Sequence, residues 1–125
     1  MAVTVIADTS ALLAMFEFKV DVESELQRLL GKVELLVPSS VIDELKGLSK
    51  RKRSASAALG LIMKRGFKVV EAEGKGDAAI LDLATRMRCP VLTNDSALKL
   101  ALRERSIPVI YLRGLTKLEV EGAVL

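Results

Sequence analysis

Four acidic residues stand at points where a folding chain can gather them. Asp8 follows the apolar run Val3 to Ala7. Glu44 lies inside Val41-Ile42-Asp43-Glu44-Leu45, Asp77 in Gly76-Asp77-Ala78-Ala79-Ile80, and Asp95 ends Thr93-Asn94-Asp95. Carboxylates are hard oxygen donors, and a cluster of them suits Mg²⁺ or Mn²⁺, ions that make water nucleophilic and neutralise charge on a phosphodiester. The chain contains no histidine and a single cysteine, Cys89. A histidine base, a histidine triad and histidine-ligated zinc are therefore excluded. Taken one at a time the acids are ordinary: an Asp or Ser ahead of a helix, as at Ser10, Asp77 or Asp95, usually caps it. Glu44 alone reads as a solvated helix residue, as do Asp43 and Asp82. The case rests on the four together, with Thr93, Ser10 and Asn94 as hydroxyl and amide neighbours able to orient a carboxylate or a water.

The elements that must bring these residues together are legible as alternating patterns. Short apolar runs at Val3 to Ala7, Leu35 to Val37, Lys68 to Val70, Pro90 to Thr93 and Val109 to Leu112 read as buried strands. Helical periodicity fills the gaps. One helix runs from Val22 to Leu30, opened by Asp21 and closed by Gly31, and a second starts at Ser39 or Ser40 and carries Val41, Leu45 and Leu48. A third covers Ala55 to Lys64 with Gly66 as its stop, a fourth Asp77 to Arg88, and a fifth Asp95 or Ser96 to Arg105. Strands alternating with helices predict an α/β fold, a central parallel sheet of about five short strands with helices on both faces. Ligands in such sheets bind beyond the carboxyl ends of the strands, where the strand order reverses. Asp8 and Asp95 sit just past strand ends.

At 125 residues the chain is of single-domain size and long enough to bury a core without staples. Half the residues are apolar but 3% are aromatic, so the core is aliphatic and base stacking has few partners. The lone Cys89 suits a reducing cytoplasm, and no apolar stretch approaches the ~20 residues needed to cross a bilayer. Lys50, Arg51, Lys52 and Arg53, with Lys46 just before them, form a basic run after Glu44. A charge run is commonly a solvated loop. Beside an acidic site it would instead let a phosphate backbone approach, in keeping with a net charge of +3 and a pI near 9.2. Recognition would then be of backbone or RNA shape rather than of base sequence.

In order and spacing the acidic set resembles the PIN-domain family, whose motifs run Asp-Thr/Ser near the N-terminus, Glu in an early helix, Asp at the start of a later helix and Thr-Asn-Asp after a central strand. The resemblance covers nearly the whole chain. Its ending, Thr93-Asn94-Asp95 through a helix to Ile107-Pro108-Val109-Ile110-Tyr111-Leu112, is similar to archaeal single-domain PIN proteins related to VapC-type toxins and rRNA-processing nucleases. One departure is Ala78, where several relatives carry a second acid, so that less charge is available for a second ion. The resemblance implies a metal-dependent ribonuclease using Mg²⁺ or Mn²⁺ on Asp8, Asp77, Asp95 and Glu44. RNA would be its substrate, an antitoxin a further protein partner, and a homodimer an expected assembly. A PIN-fold module that binds RNA or assembles without catalysis is the alternative, and the presence of all four acids opposes it. A phosphotransfer domain is disfavoured because Ser10 stands where a phosphatase of that type would need a second Asp.

Overall fold

The computed structural model describes residues 2–114 and 116–124. The strands are β1 (Val3–Ala7), β2 (Val33–Pro38), β3 (Lys68–Val70), β4 (Val91–Leu92), β5 (Val109–Arg113) and β6 (Lys117–Glu121). The helices are α1 (Thr9–Glu17), α2 (Val22–Leu30), α3 (Ser39–Leu48), α4 (Arg53–Arg65), α5 (Gly76–Met87) and α6 (Ser96–Glu104). The strands form one sheet in the order β3-β2-β1-β4-β5-β6. All neighbours are parallel except β5 and β6.

Parallel strands joined by helices are covered on both faces, which is why their sequences read as unbroken apolar runs rather than alternations. Val5, Ile6 and Ala7 are successive residues that point to opposite faces, and all three are fully buried. Val91, Leu92, Val109 and Ile110 repeat the pattern in the neighbouring strands. Leu12, Met15, Leu26, Leu45, Ile80, Leu98 and Leu102 pack on them from the helices. Helix ends follow expected chemistry: the Asp21 carboxylate accepts the Ser24 N–H at 3.1 Å to open α2, and Gly66, at φ 65°, ends α4 in the left-handed conformation that glycine adopts without strain.

Two elements depart from the sequence expectation. Helix α1 is additional to the five expected helices, because Ala11-Leu12-Leu13-Ala14-Met15-Phe16 is apolar all round and shows no polar face. Strand β6 makes the sheet six-stranded rather than five-stranded and adds an antiparallel member. Its register with β5 pairs Leu112 with Leu118 and Arg113 with Lys117. Helix α2 secures it: Leu118 donates its N–H to Glu25 Oε1 at 2.9 Å, and its carbonyl accepts from Arg28 Nη2 at 2.8 Å. The Glu25 and Arg28 side chains are themselves paired at 3.0 Å. Among the described residues no helix is long and apolar enough to cross a membrane.

Candidate functional site

The chain leaves β1 toward β2 on one side of the sheet, and β4 lies on the other, so the strand order reverses between β1 and β4. Ala7 is in register with Leu92. The Asp8 N–H donates to the Leu92 carbonyl at 2.9 Å. Asp8 and Thr93 thereby meet side by side at the carboxyl ends of adjacent strands, the place where an open α/β sheet receives its ligand.

Asp8 occupies the N-cap position of α1 but does not cap it with its side chain. Its Oδ2 accepts instead from Thr93 Oγ1 at 2.7 Å and from Ser10 Oγ at 3.0 Å. Asp8 and Thr93 are buried, and a buried carboxylate is tolerable only when such donors satisfy it. Both hydroxyls land on Oδ2, and Oδ1 accepts no hydrogen bond from the described residues. Thr93 Oγ1 also accepts the Asp95 N–H at 3.1 Å, which links the two acids through one hydroxyl.

Asp95 does cap its helix, its Oδ1 accepting from the Leu98 N–H at 2.8 Å, and Oδ2 is left uncommitted among the described residues. Asn94 is a brace: its Oδ1 accepts the Leu112 N–H at 2.9 Å and its own N–H donates to Ser10 Oγ at 3.1 Å. Asp77 lies in the first turn of α5, whose N-cap is Lys75, and so does not serve as the cap. The segment leading to α5 is tied to the top of α3 by the Ala72 N–H, which donates to Ser39 Oγ at 3.0 Å.

Electrostatics show that the acids feel one another. The Asp77 carboxyl is raised above its ordinary value by partial loss of solvent, then by the charges of Asp95 and Asp8. A protonated Asp77 can also hydrogen-bond Asp95. Glu44 is raised by desolvation of its carboxyl end, although the residue as a whole is exposed, and next by the charge of Asp8. Asp77 adds a smaller repulsion, while the Thr9 hydroxyl favours the charged form. All four acids predicted from the sequence therefore share one electrostatic neighbourhood. Among the described residues no three of them are drawn tightly enough to enclose an ion unaided. The donor set still fits Mg²⁺ or Mn²⁺: it is all oxygen, it is self-repelling, and it keeps uncommitted oxygens. Magnesium is commonly held by only one or two carboxylates, its other positions filled by waters and phosphate oxygens.

The remaining candidates separate cleanly. Asp82 pairs with Arg86 at 3.1 Å on the outer face of α5, and Asp43 is exposed. Lys50, Arg51 and Lys52 form the turn between α3 and α4, and Arg53 opens α4. All four are exposed, and none joins an ion pair among the described residues. The end of α3 at Leu48 is about 6 Å along the helix axis from Glu44, from a rise of about 1.5 Å per residue. Sequence reasoning did not single out Thr9 or Ser40 as site residues. The available signals were the place of Thr9 in the Asp8-Thr9-Ser10 motif and the i, i+4 spacing of Ser40 and Glu44.

Known proteins carry this architecture. A family model described as a PIN like domain matches residues 5–115. Ribonuclease VapC9 of Archaeoglobus fulgidus is 34% identical over 111 residues, spanning 86% of this chain and 82% of that protein. Ribonuclease VapC4 of Methanocaldococcus jannaschii is 30% identical over 128 residues, spanning 96% and 98%. The solved structure of the PIN domain endonuclease Utp24 superposes with a TM-score of 0.83 at 27% identity, covering 97% of this chain and 92% of that one. With the motif acids at the switch point of the sheet and the family match running through them, this chain belongs to the PIN-domain family.

Proposed function

We propose that the chain is a ribonuclease dependent on Mg²⁺ or Mn²⁺, with Asp8, Asp77 and Asp95 as ligands and Glu44 as a ligand or a base that orients water. The observation that carries this reading is the convergence of four carboxylates beyond β1 and β4, with Asp8 held by Thr93 and Ser10 rather than spent on its own helix. The names of the two ribonuclease relatives support it. When bound, the cation would acidify a water and offset charge on the phosphodiester. The chain's own residues do the rest. Thr93 and Ser10 fix the Asp8 carboxylate, Asp95 is fixed by its hydrogen bond to the Leu98 amide, and Glu44, where it acts as the base, orients the attacking water and takes its proton. That water attacks phosphorus, the P–O bond to the leaving nucleoside breaks, and the leaving oxygen takes a proton from bulk water. Lys50, Arg51, Lys52 and Arg53 supply cations that let the RNA backbone approach an acidic rim.

Cleavage of single-stranded and structured RNA, with and without Mn²⁺, by wild type and Asp8→Asn tests the reading. Metal-dependent cleavage lost in the variant supports it; metal-independent binding of RNA with no cleavage by the wild type would favour a non-catalytic module. Of the biological uses open to such an enzyme, the toxin of a toxin–antitoxin pair agrees with the VapC relatives. Inhibition of cleavage by a protein encoded beside it would support that use, and its absence would favour RNA processing.

A further inference from the structure

Two hydroxyls at the top of the sheet are buried and have no hydrogen-bond partner among the described residues: Thr9 Oγ1 and Ser40 Oγ. Thr9 is 6% exposed and Ser40 8%. Leaving a buried hydroxyl unpaired is destabilising, so two of them at the starts of helices that touch call for an explanation. Their positions supply it. Thr9 begins α1, directly after Asp8, and α1 packs against α3. Ser40 lies on α3 four residues ahead of Glu44, so the two share one face of that helix, a turn apart. Glu44 is the acid of the four that has neither a short side chain nor any hydrogen bond to hold it. The Thr9 hydroxyl is the one donor whose influence on its carboxylate is evident.

We propose that Thr9 and Ser40 are positioning residues for Glu44, their hydroxyls serving to aim its carboxylate at the acidic rim. The inference rests on the ribonuclease reading above. The burial of both oxygens argues against direct contact with RNA, whereas a long side chain on the adjoining turn can reach them. The Thr9 hydroxyl already favours the charged form of Glu44 without completing a hydrogen bond. Thr9 and Ser40 hold no ion and touch no substrate in this scheme. They act by restricting the conformations of a flexible glutamate, a restriction that a free side chain would have to make at the moment of ion binding.

The test compares the full chain with Thr9→Val, Thr9→Ser, Ser40→Ala and Glu44→Ala, alone and with Thr9→Val. Valine keeps the shape of threonine, so folding is preserved. Thr9→Val should lower Mn²⁺ affinity, read by calorimetry, and kcat for RNA, each by about 10–100-fold, while KM for RNA stays unchanged. Thr9→Ser should restore both, Ser40→Ala should follow Thr9→Val, and in the Glu44→Ala background Thr9→Val should change Mn²⁺ affinity no further. Wild-type affinity and kcat in Thr9→Val and Ser40→Ala overturn the assignment, as does an equal loss of affinity in the Glu44→Ala background. If the wild type neither binds Mn²⁺ nor cleaves RNA, the ribonuclease reading falls, and melting in chelator still decides the pair. A Thr9→Val change that costs more stability, or gains less, with Glu44 present than with Glu44→Ala supports the pairing, and equal shifts in Tm overturn it.

Discussion

Replacing Thr93 with valine isolates what holds the centre together. The two side chains have nearly the same volume, so no cavity opens in a residue that is fully buried, and the change removes only the hydroxyl. Three interactions go with it: the donation to Asp8 at 2.7 Å, the acceptance of the Asp95 N–H at 3.1 Å and the approach of Ser10 Oγ at 3.3 Å. A hydrogen bond to a charged group contributes about 1.5–3 kcal/mol, and an orphaned amide costs about 1 kcal/mol more. Ser10 still reaches Asp8, and solvent reaches the half-buried Asp95, so the expected loss is about 2–4 kcal/mol. For a domain of this size that corresponds to a fall in Tm of roughly 8–16 °C. Thermal unfolding at pH 7 in chelator measures it, with Thr93→Ser, which retains the hydroxyl, losing less than half as much. Metal-dependent RNA cleavage, followed in parallel, should fall by at least about tenfold in Thr93→Val as Asp8 loses its orientation. A Thr93→Val protein that melts within about 2 °C of wild type and cleaves at the wild-type rate would show that the hydroxyl does not organise the centre.

Asp8→Asn and Asp95→Asn should each cut metal-dependent cleavage by about a hundredfold or more in a steady-state assay, because a missing ligand damages both charge and geometry. Because Asp77 and Glu44 hold protons above their ordinary values of 3.8 and 4.5, these two groups bind more protons in the folded metal-free protein than in the unfolded chain. Their contribution to stability is therefore present at low pH and lost as pH rises from those values through the folded pKa of each. The difference in stability between wild type and the double variant Asp77→Asn, Glu44→Gln, followed by urea unfolding from about pH 3 to 8, should grow in the variant's favour across that window. Mn²⁺ at about a hundred times its dissociation constant should stabilise the wild type by about 2.7 kcal/mol and the double variant by much less, read as shifts in Tm. Changing Arg51, Lys52 and Arg53 to Ala should make the salt dependence of single-stranded RNA binding shallower, by about 0.7 in log–log slope for each phosphate no longer neutralised, and an unchanged slope would mark the turn as solvent-facing only.

Most of the frame is readable from sequence because burial on both faces writes itself as consecutive apolar residues. Val5, Ile6 and Ala7 announce β1 and Asp8 marks its end, while Val91 and Leu92 do the same ahead of Asp95. Helix α1 escapes for the converse reason: with Leu12 and Met15 in the core and Leu13 and Phe16 packed against it, no polar stripe reveals a 3.6-residue period. Strand β6 has a visible alternation, Leu118 and Val120 between charged residues, but five residues give that pattern little statistical weight. The positions of the four acids are legible from spacing; their division of labour is not. That Asp95 caps a helix while Asp8 spends itself on Thr93 depends on an interaction between residues 85 apart in sequence, and that the basic turn lies beyond the end of Glu44's helix depends on where α3 stops. No local pattern encodes either.

The hold of α2 on Leu118 has a consequence for how this sheet meets other polypeptides. Strands recruit further strands through their free amides and carbonyls. On β6 the middle of that ladder is already occupied by Glu25 and Arg28, and the neighbouring Lys117, Glu119 and Glu121 surround it with charge. At the opposite margin β3 is only three residues long and pairs with no described residue beyond β2. A sheet that is stoppered at one end and has a short opening at the other can accept a single addition but cannot pass the process on. Head-to-tail growth, the route by which open sheets become filaments, is terminated at its first step. An Arg28→Ala, Glu25→Ala chain would have two receptive margins, and seeded polymerisation is the property it would be expected to gain.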